Sequence, residues 1–140
     1  MHLDRAWQKD LAAAALRARE RAYAPYSGFW VGAALLTING AVYTGCNIEN
    51  AAYSVCNCAE RTALFSAVAA GERRFRAIAV AGGRQEEKEP LSAFCPPCGV
   101  CRQALSEFCK GRAFQVILVR SREDLRVFTL EELLPLPFGD

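Results

Sequence analysis

Two short cysteine-bearing segments constrain the fold of this chain more than any other feature. The first is Cys58-Ala59-Glu60, and the second is Pro97-Cys98-Gly99-Val100-Cys101. Each lies at the start of a predicted helix, where the helix dipole and the free N–H groups favour thiolate over thiol. Cys98 and Cys101 are three residues apart and therefore face the same way on one helical turn. If Cys58 shares one metal ion with them, the fold must bring two helix N termini together.

The residue types in these segments indicate an open catalytic zinc site. Zn²⁺ takes thiolates readily and prefers four ligands, so Cys58, Cys98 and Cys101 leave one position for water. A metal-bound water ionises near neutral pH, and a nearby carboxylate can move its proton. Glu60 is too close to Cys58 in sequence to reach the metal comfortably as well. We therefore predict one Zn²⁺ per chain, bound by the three cysteines, with Glu60 as the catalytic proton shuttle.

Other interpretations of the cysteines stay open. A Cys-x-x-Cys pair alone is typical of a redox motif or of half a structural zinc knuckle. A closed site with four cysteine ligands needs Cys56 or Cys95 in addition, because the sole histidine, His2, is remote in sequence. In that case the chain is a non-enzymatic zinc module, and Glu60 is a solvated helix residue.

Length and composition predict one domain that acts on a small molecule. The 140 residues, of which 52% are hydrophobic, suffice for a single domain spanning residues 1–140 with its own core. The net charge of +2 combines 17 basic and 15 acidic residues without a basic block, which argues against a nucleic-acid partner. The first residues lack an apolar signal core, and no apolar run is long enough to cross a bilayer. We therefore expect no membrane partner and a cytoplasmic location.

Periodicity and turn signals predict the element order αββαβαββα. Apolar residues at helical spacing, Asn39-Gly40 as a hairpin turn, and a capping box of Thr129 with Glu132 are the main signals. The predicted helices cover residues 3–23, 58–70, 98–109 and a short last helix ended by Pro135; the predicted strands cover residues 29–38, 41–46, 76–81, 113–120 and 125–128; residues 82–97 form a surface connection. The predicted fold class is α/β, a three-layer α/β/α sandwich with a five-stranded mixed sheet.

Further motifs accompany the two cysteine segments along nearly the whole chain. They are Tyr23-Ala24-Pro25-Tyr26-Ser27, Phe29-Trp30-Val31-Gly32-Ala33-Ala34, Gly45-Cys46-Asn47-Ile48-Glu49-Asn50-Ala51-Ala52-Tyr53, Cys58-Ala59-Glu60-Arg61, Pro97-Cys98-Gly99-Val100-Cys101-Arg102-Gln103 and Glu132-Leu133-Leu134-Pro135. In this order they resemble the motifs of the small homotetrameric cytidine deaminases. Three cysteine ligands with a non-ligating glutamate are also a general signature of zinc nucleobase deaminases. The resemblance implies a cytidine-deaminase-like fold.

The same resemblance implies a reaction and a set of substrate contacts. The reaction is the hydrolytic deamination of cytidine and 2′-deoxycytidine to uridine and 2′-deoxyuridine in pyrimidine salvage. By matching position, Phe29 packs on the pyrimidine, Asn47 and Glu49 hold the ribose hydroxyls, and Ala59 also contacts the substrate. Ala51, Tyr53 and Phe138 reach the sites of neighbouring subunits in a homotetramer.

The resemblance also assigns a role to Arg61, and this role has a physical reason. Three thiolates on Zn²⁺ carry a net charge of −1, which makes a bound water less acidic than in a site with a neutral histidine ligand. Arg61 and two helix N termini offset part of this charge. The alternative is that Arg61 only pairs with a surface carboxylate.

A different aminopyrimidine nucleoside is an alternative substrate. A deaminase of the antibiotic blasticidin S uses the same zinc and the same Glu60, so these residues do not separate the two activities. Competition between blasticidin S and cytidine does.

Overall fold

The computed structural model describes residues 5–111 and 113–139. Its helices are α1 (Ala6–Arg19), α2 (Ala59–Ala69), α3 (Gly99–Ser106) and α4 (Leu130–Leu133), and its strands are β1 (Phe29–Thr37), β2 (Val42–Cys46), β3 (Phe75–Arg84), β4 (Gln115–Ser121) and β5 (Asp124–Thr129). The predicted order of helices and strands is confirmed, with one additional 3₁₀ turn at Tyr53–Val55. Among these residues, no helix combines the length and the apolar character that crossing a membrane requires.

The five strands form one mixed sheet in the order β2-β1-β3-β4-β5. β3 and β4 run parallel, and the other neighbouring pairs are antiparallel. A hairpin at Asn39-Gly40 joins β1 to β2 as predicted, but Leu36 pairs with Val42, so the connection is longer than the predicted two residues. Gly40 has a φ of 94°, which favours glycine. The capping box before α4 is also confirmed, because the side chains and backbone amides of Thr129 and Glu132 bond reciprocally.

Two glycines allow helices to press against opposite faces of the sheet. A Cβ at Gly32 would lie 2.1 Å from the Ala15 carbonyl oxygen of α1, and a Cβ at Gly45 would lie 2.5 Å from the Ala59 carbonyl oxygen of α2. α1 covers one core cluster, while α2, α3 and α4 cover the other. This arrangement is the predicted three-layer sandwich, and it sets the start of α2 directly against β2.

Three predicted C-terminal ends are wrong by three residues or more, and long-range contacts explain two of them. α1 ends at Arg19 instead of residue 23, because the buried Arg19 guanidinium donates to the carbonyls of Trp30, Gly83 and Arg84. β3 extends to Arg84, which pairs with Phe29 of β1, so its last three residues belong to the sheet. α3 ends at Ser106 instead of residue 109.

The rest of the predicted surface connection is also more closely packed than expected. Leu91 and Pro97 are fully buried. The Leu91 N–H donates to the Arg120 carbonyl of β4 at 2.7 Å, and Nε of Arg120 donates to the Leu91 carbonyl at 2.8 Å. Residues 82–97 therefore hold the start of the second cysteine segment at a fixed position beside the sheet.

Candidate metal centre

The fold brings the two cysteine segments together at the N termini of neighbouring helices. Cys58 immediately precedes α2, Cys98 immediately precedes α3, and Cys101 lies buried in the first turn of α3. The three sulfur atoms lie within 4.8 Å of one another, and those of Cys58 and Cys98 are 3.8 Å apart. Sulfur atoms at this separation surround a space of the size that one tetrahedral metal ion needs.

No fourth side chain completes this cluster among the described residues. Cys56 and Cys95 lie outside it, and so does the carboxylate of Glu60. The Cys56 sulfur accepts a hydrogen bond from the Asn50 amide instead. His2 lies outside the described residues. The donor set of three soft sulfur ligands with an open position fits a catalytic zinc ion better than a closed structural one.

Charge at the cluster is balanced from α2. Arg61 donates a hydrogen bond from Nη2 to the Cys58 sulfur at 3.3 Å. Hydrogen bonds from Cys101, Arg61 and Cys98 lower the pKa of Cys58 to about 5, which favours its thiolate form. The buried Nε–H of Arg61 has no acceptor in the part of the chain that the structure describes. Among the described residues, the hydrogen bond of its Nη2 goes to a cysteine sulfur and not to a surface carboxylate.

Glu60 lies in the first turn of α2 and is buried, with only 4% of its surface exposed. Burial raises the pKa of its carboxyl to about 7. A carboxyl group with a pKa near neutrality can both accept and release a proton at physiological pH, which suits a general acid and base. A solvated helix residue would have neither this burial nor this pKa.

Gly82, which the sequence motifs did not single out, lies beside both Phe29 and Cys95. A Cβ at Gly82 would lie 2.7 Å from the Cys95 sulfur and 3.2 Å from Cε2 of Phe29, so this glycine admits both side chains. Burial, together with the charges of Glu60, Cys58 and Cys98, raises the pKa of Cys95 to about 12. The Cys95 thiol is therefore neutral at physiological pH.

Asn47 and Glu49 hold the segment that leads into β1. The side-chain Oδ1 of Asn47 accepts a hydrogen bond from the Val31 N–H at 2.9 Å, and its Nδ2 donates to the Phe29 carbonyl at 2.8 Å. The Glu49 carboxylate accepts from the amides of Tyr26 and Ser27 and from the Ser27 hydroxyl, and the hydroxyl bond is the main reason that its pKa is lowered. Both side chains therefore lie beside Phe29, although each is already engaged with the backbone.

Comparison with known proteins identifies the family. A family model described as the cytidine and deoxycytidylate deaminase zinc-binding region matches residues 5–117. The chain belongs to this deaminase family. It is 50% identical to the cytidine deaminase of Sporosarcina psychrophila over 131 residues, which cover 94% of this chain and 90% of the relative. It is 33% identical to the blasticidin-S deaminase of Bacillus cereus over 109 residues, which cover 77% of this chain and 76% of that protein.

The fold of this deaminase also matches a solved structure of the family. The 1.6 Å crystal structure of cytidine deaminase from Burkholderia pseudomallei gives a TM-score of 0.80 at 52% identity, and covers 92% of this chain and 97% of that one. The three-layer fold and the zinc-dependent deaminase family are therefore both confirmed.

The residues predicted to act between subunits are exposed in the single chain. Tyr53 and Phe138 are each 90% exposed, and Ala51 is exposed as well. Phe138 nevertheless has a fixed backbone, because the Gln103 side chain of this deaminase accepts from its N–H at 2.9 Å and donates to its carbonyl at 3.0 Å. Ala59, in contrast, is completely buried at the start of α2.

Proposed function

We propose that this protein catalyses the hydrolytic deamination of cytidine and 2′-deoxycytidine to uridine and 2′-deoxyuridine, with release of ammonia. One observation carries the proposal: three thiol groups converge at two helix N termini beside a buried carboxyl group. The cytidine deaminases that are about half identical to the chain support the same activity. All seven cysteines are free, which suits a reducing compartment, and we propose a cytoplasmic role in pyrimidine salvage.

Cys58, Cys98 and Cys101 would hold one Zn²⁺ as thiolates. When bound, Zn²⁺ supplies Lewis acidity that lowers the pKa of a water in its open position. Glu60 accepts one proton from the water that attacks C4 of the pyrimidine and delivers it to N3. It then accepts the second proton from the hydroxyl group formed at C4, whose oxygen becomes the C4 carbonyl, and delivers it to the departing amine. Arg61, through its bond to the Cys58 sulfur, offsets part of the negative charge that three thiolates bring to the site.

We propose that Phe29 packs against the pyrimidine and that Asn47 and Glu49 bind the ribose hydroxyls. The remaining hydrogen-bonding capacity permits this. A carboxylate accepts about four hydrogen bonds, and Glu49 uses three of them; Asn47 uses one of its two amide N–H groups. Ala59 would contribute backbone at the start of α2, since its side chain is buried.

The substrate range is the direct test of this proposal. Zinc-loaded protein is expected to convert cytidine and 2′-deoxycytidine, measured as the loss of cytidine absorbance. Free cytosine should react less efficiently by a factor of up to about 10⁴, because it leaves the polar groups that grip the sugar unpaired. CMP and blasticidin S should be tested alongside, the latter because of the identity to a blasticidin-S deaminase. Preferential turnover of blasticidin S would show that blasticidin S, and not cytidine, is the substrate. Equal turnover of cytosine and cytidine would show that Asn47 and Glu49 do not bind the sugar.

We further propose a homotetramer in which Ala51, Tyr53 and Phe138 complete the sites of neighbouring subunits. The exposed Phe138 ring supports this, because Gln103 fixes its backbone while 90% of the residue's surface stays exposed. An ordered, exposed aromatic side chain is a typical interface anchor.

Removal of residues 137–140 is expected to lower kcat/KM for cytidine while each chain remains folded and zinc-loaded. Leu136→Ala, which alters an equally exposed apolar residue of the same segment, serves as the control and should change kcat/KM little. Kinetics, zinc content and light scattering should be measured on the same preparations. A fully active monomer of 15.3 kDa, or unchanged kinetics after truncation, would refute the shared sites.

A further inference from the structure

Arg102 connects the second cysteine segment to the C-terminal part of the chain. It follows Cys101 in α3, and its side chain is partly buried. Its Nε donates to the Pro97 carbonyl at 2.8 Å, and its Nη1 donates to the Leu133 carbonyl at 2.7 Å. The Pro97 carbonyl belongs to the peptide that leads directly into Cys98. One guanidinium therefore links that peptide to the end of α4.

The side-chain direction of Cys98 is less constrained by packing and hydrogen bonds than the directions of Cys58 and Cys101. Cys101 is fully buried within α3, and the Cys58 sulfur accepts a hydrogen bond from Arg61. Cys98, in contrast, is exposed, and its sulfur caps no backbone N–H of α3. Among the described residues, its sulfur contacts the Cys58 sulfur at 3.8 Å, and the Pro97–Cys98 backbone sets the direction from which it does so.

The other end of the link is a fixed point. α4 is a single turn, but the reciprocal hydrogen bonds of Thr129 and Glu132 close its N terminus. Its first residue, Leu130, is buried in the same core cluster as α2 and α3 residues. The Leu133 carbonyl is one of the terminal helix carbonyls that lack a partner within their own helix, and Arg102 supplies that partner.

We propose that Arg102 is a positioning residue for the metal centre, which joins the Pro97 carbonyl to the end of α4 and thereby holds Cys98 in the direction required for metal binding. The inference rests on the proposed ligand set of Cys58, Cys98 and Cys101. Groups that orient metal ligands without touching the metal typically contribute 10- to 100-fold to metal affinity. Arg102 acts through the backbone of its ligand, and the same range is expected.

Arg102→Met tests this role, because methionine keeps an apolar stem and removes both donors. Its Zn²⁺ affinity, measured by competition with a chromogenic chelator, is expected to fall by about 10- to 100-fold. In the Co²⁺-substituted protein, the sulfur-to-cobalt charge-transfer bands should weaken or shift. Gln103→Ala is the matched control on the same helix: it frees Phe138 but leaves Pro97 untouched, so its Zn²⁺ affinity and its cobalt spectrum should equal those of the unmodified chain.

Zn²⁺ affinity within twofold of the unmodified chain, or an equal loss in Gln103→Ala, would overturn the proposal. If Arg102→Met does not fold, Arg102→Lys decides, because an ammonium group lacks the planar fork that serves two carbonyls at once. Its Zn²⁺ affinity should lie below that of the unmodified chain; full affinity would overturn the proposal. Failure of the unmodified chain to bind Zn²⁺ would instead count against the proposed function.

Discussion

Glu60→Gln is expected to retain its zinc and to lose nearly all turnover of cytidine. General acid and base catalysis typically contributes roughly 10²–10⁴-fold. We expect a loss at or beyond the upper end of this range, because the same carboxyl group serves several successive proton transfers. Glutamine preserves the shape of the buried side chain but cannot accept or release the proton. Elemental analysis should give the zinc content, and the loss of cytidine absorbance should give kcat.

Glu107→Gln provides a matched control for this variant. Glu107 is exposed and follows the C-terminal end of α3, opposite the end that carries Cys98. The same change of charge there should leave kcat close to that of the unmodified chain. Near-normal turnover in Glu60→Gln would refute the proton-transfer role, and loss of its zinc would show that Glu60 is a ligand.

Cys98→Ala is expected to lose zinc and activity together. Cys98 is the most informative of the three cysteines, since it is exposed and its replacement removes little packing. Cys101 is fully buried, so Cys101→Ala would combine the loss of a ligand with the cost of a cavity. Because a bound metal ion stabilises the folded state, the melting temperature of Cys98→Ala should also become insensitive to chelators.

Cys56→Ala and Cys95→Ala are the controls for ligand loss, because both cysteines lie outside the sulfur cluster. Both variants should keep one zinc ion per chain. Full zinc occupancy in Cys98→Ala, or loss of zinc in either control, would refute the proposed ligand set.

Local chemistry explains why much of the fold and the centre of the site could be predicted. The Asn39-Gly40 turn and the Thr129 capping box act within a few residues, and the structure has both. The placement of Cys58 and Cys98 immediately before helices follows from the same short-range signals. The convergence of the two helix starts was inferred from metal chemistry, which demands that ligands distant in sequence meet.

The features that could not be predicted depend on contacts between distant segments. Arg19 ends α1 because it reaches carbonyls of β1 and β3, and no pattern within the helix marks this. Cys95 was noted only as a possible fourth ligand, yet it packs against Gly82 beside Phe29. The bonds of Arg102 to Pro97 and Leu133 likewise become visible only when α3 and α4 are placed side by side.

X-ray absorption at the zinc edge tests the central claim most directly, because it counts the atoms around the metal. The three-thiolate site predicts three sulfur atoms at about 2.3 Å and one oxygen atom at about 2.0 Å. The spectrum of Glu60→Gln should be the same, since the oxygen belongs to water and not to the carboxylate. Four sulfur neighbours would indicate a closed structural site, and loss of the oxygen shell in Glu60→Gln would place Glu60 on the metal; either result would contradict the mechanism.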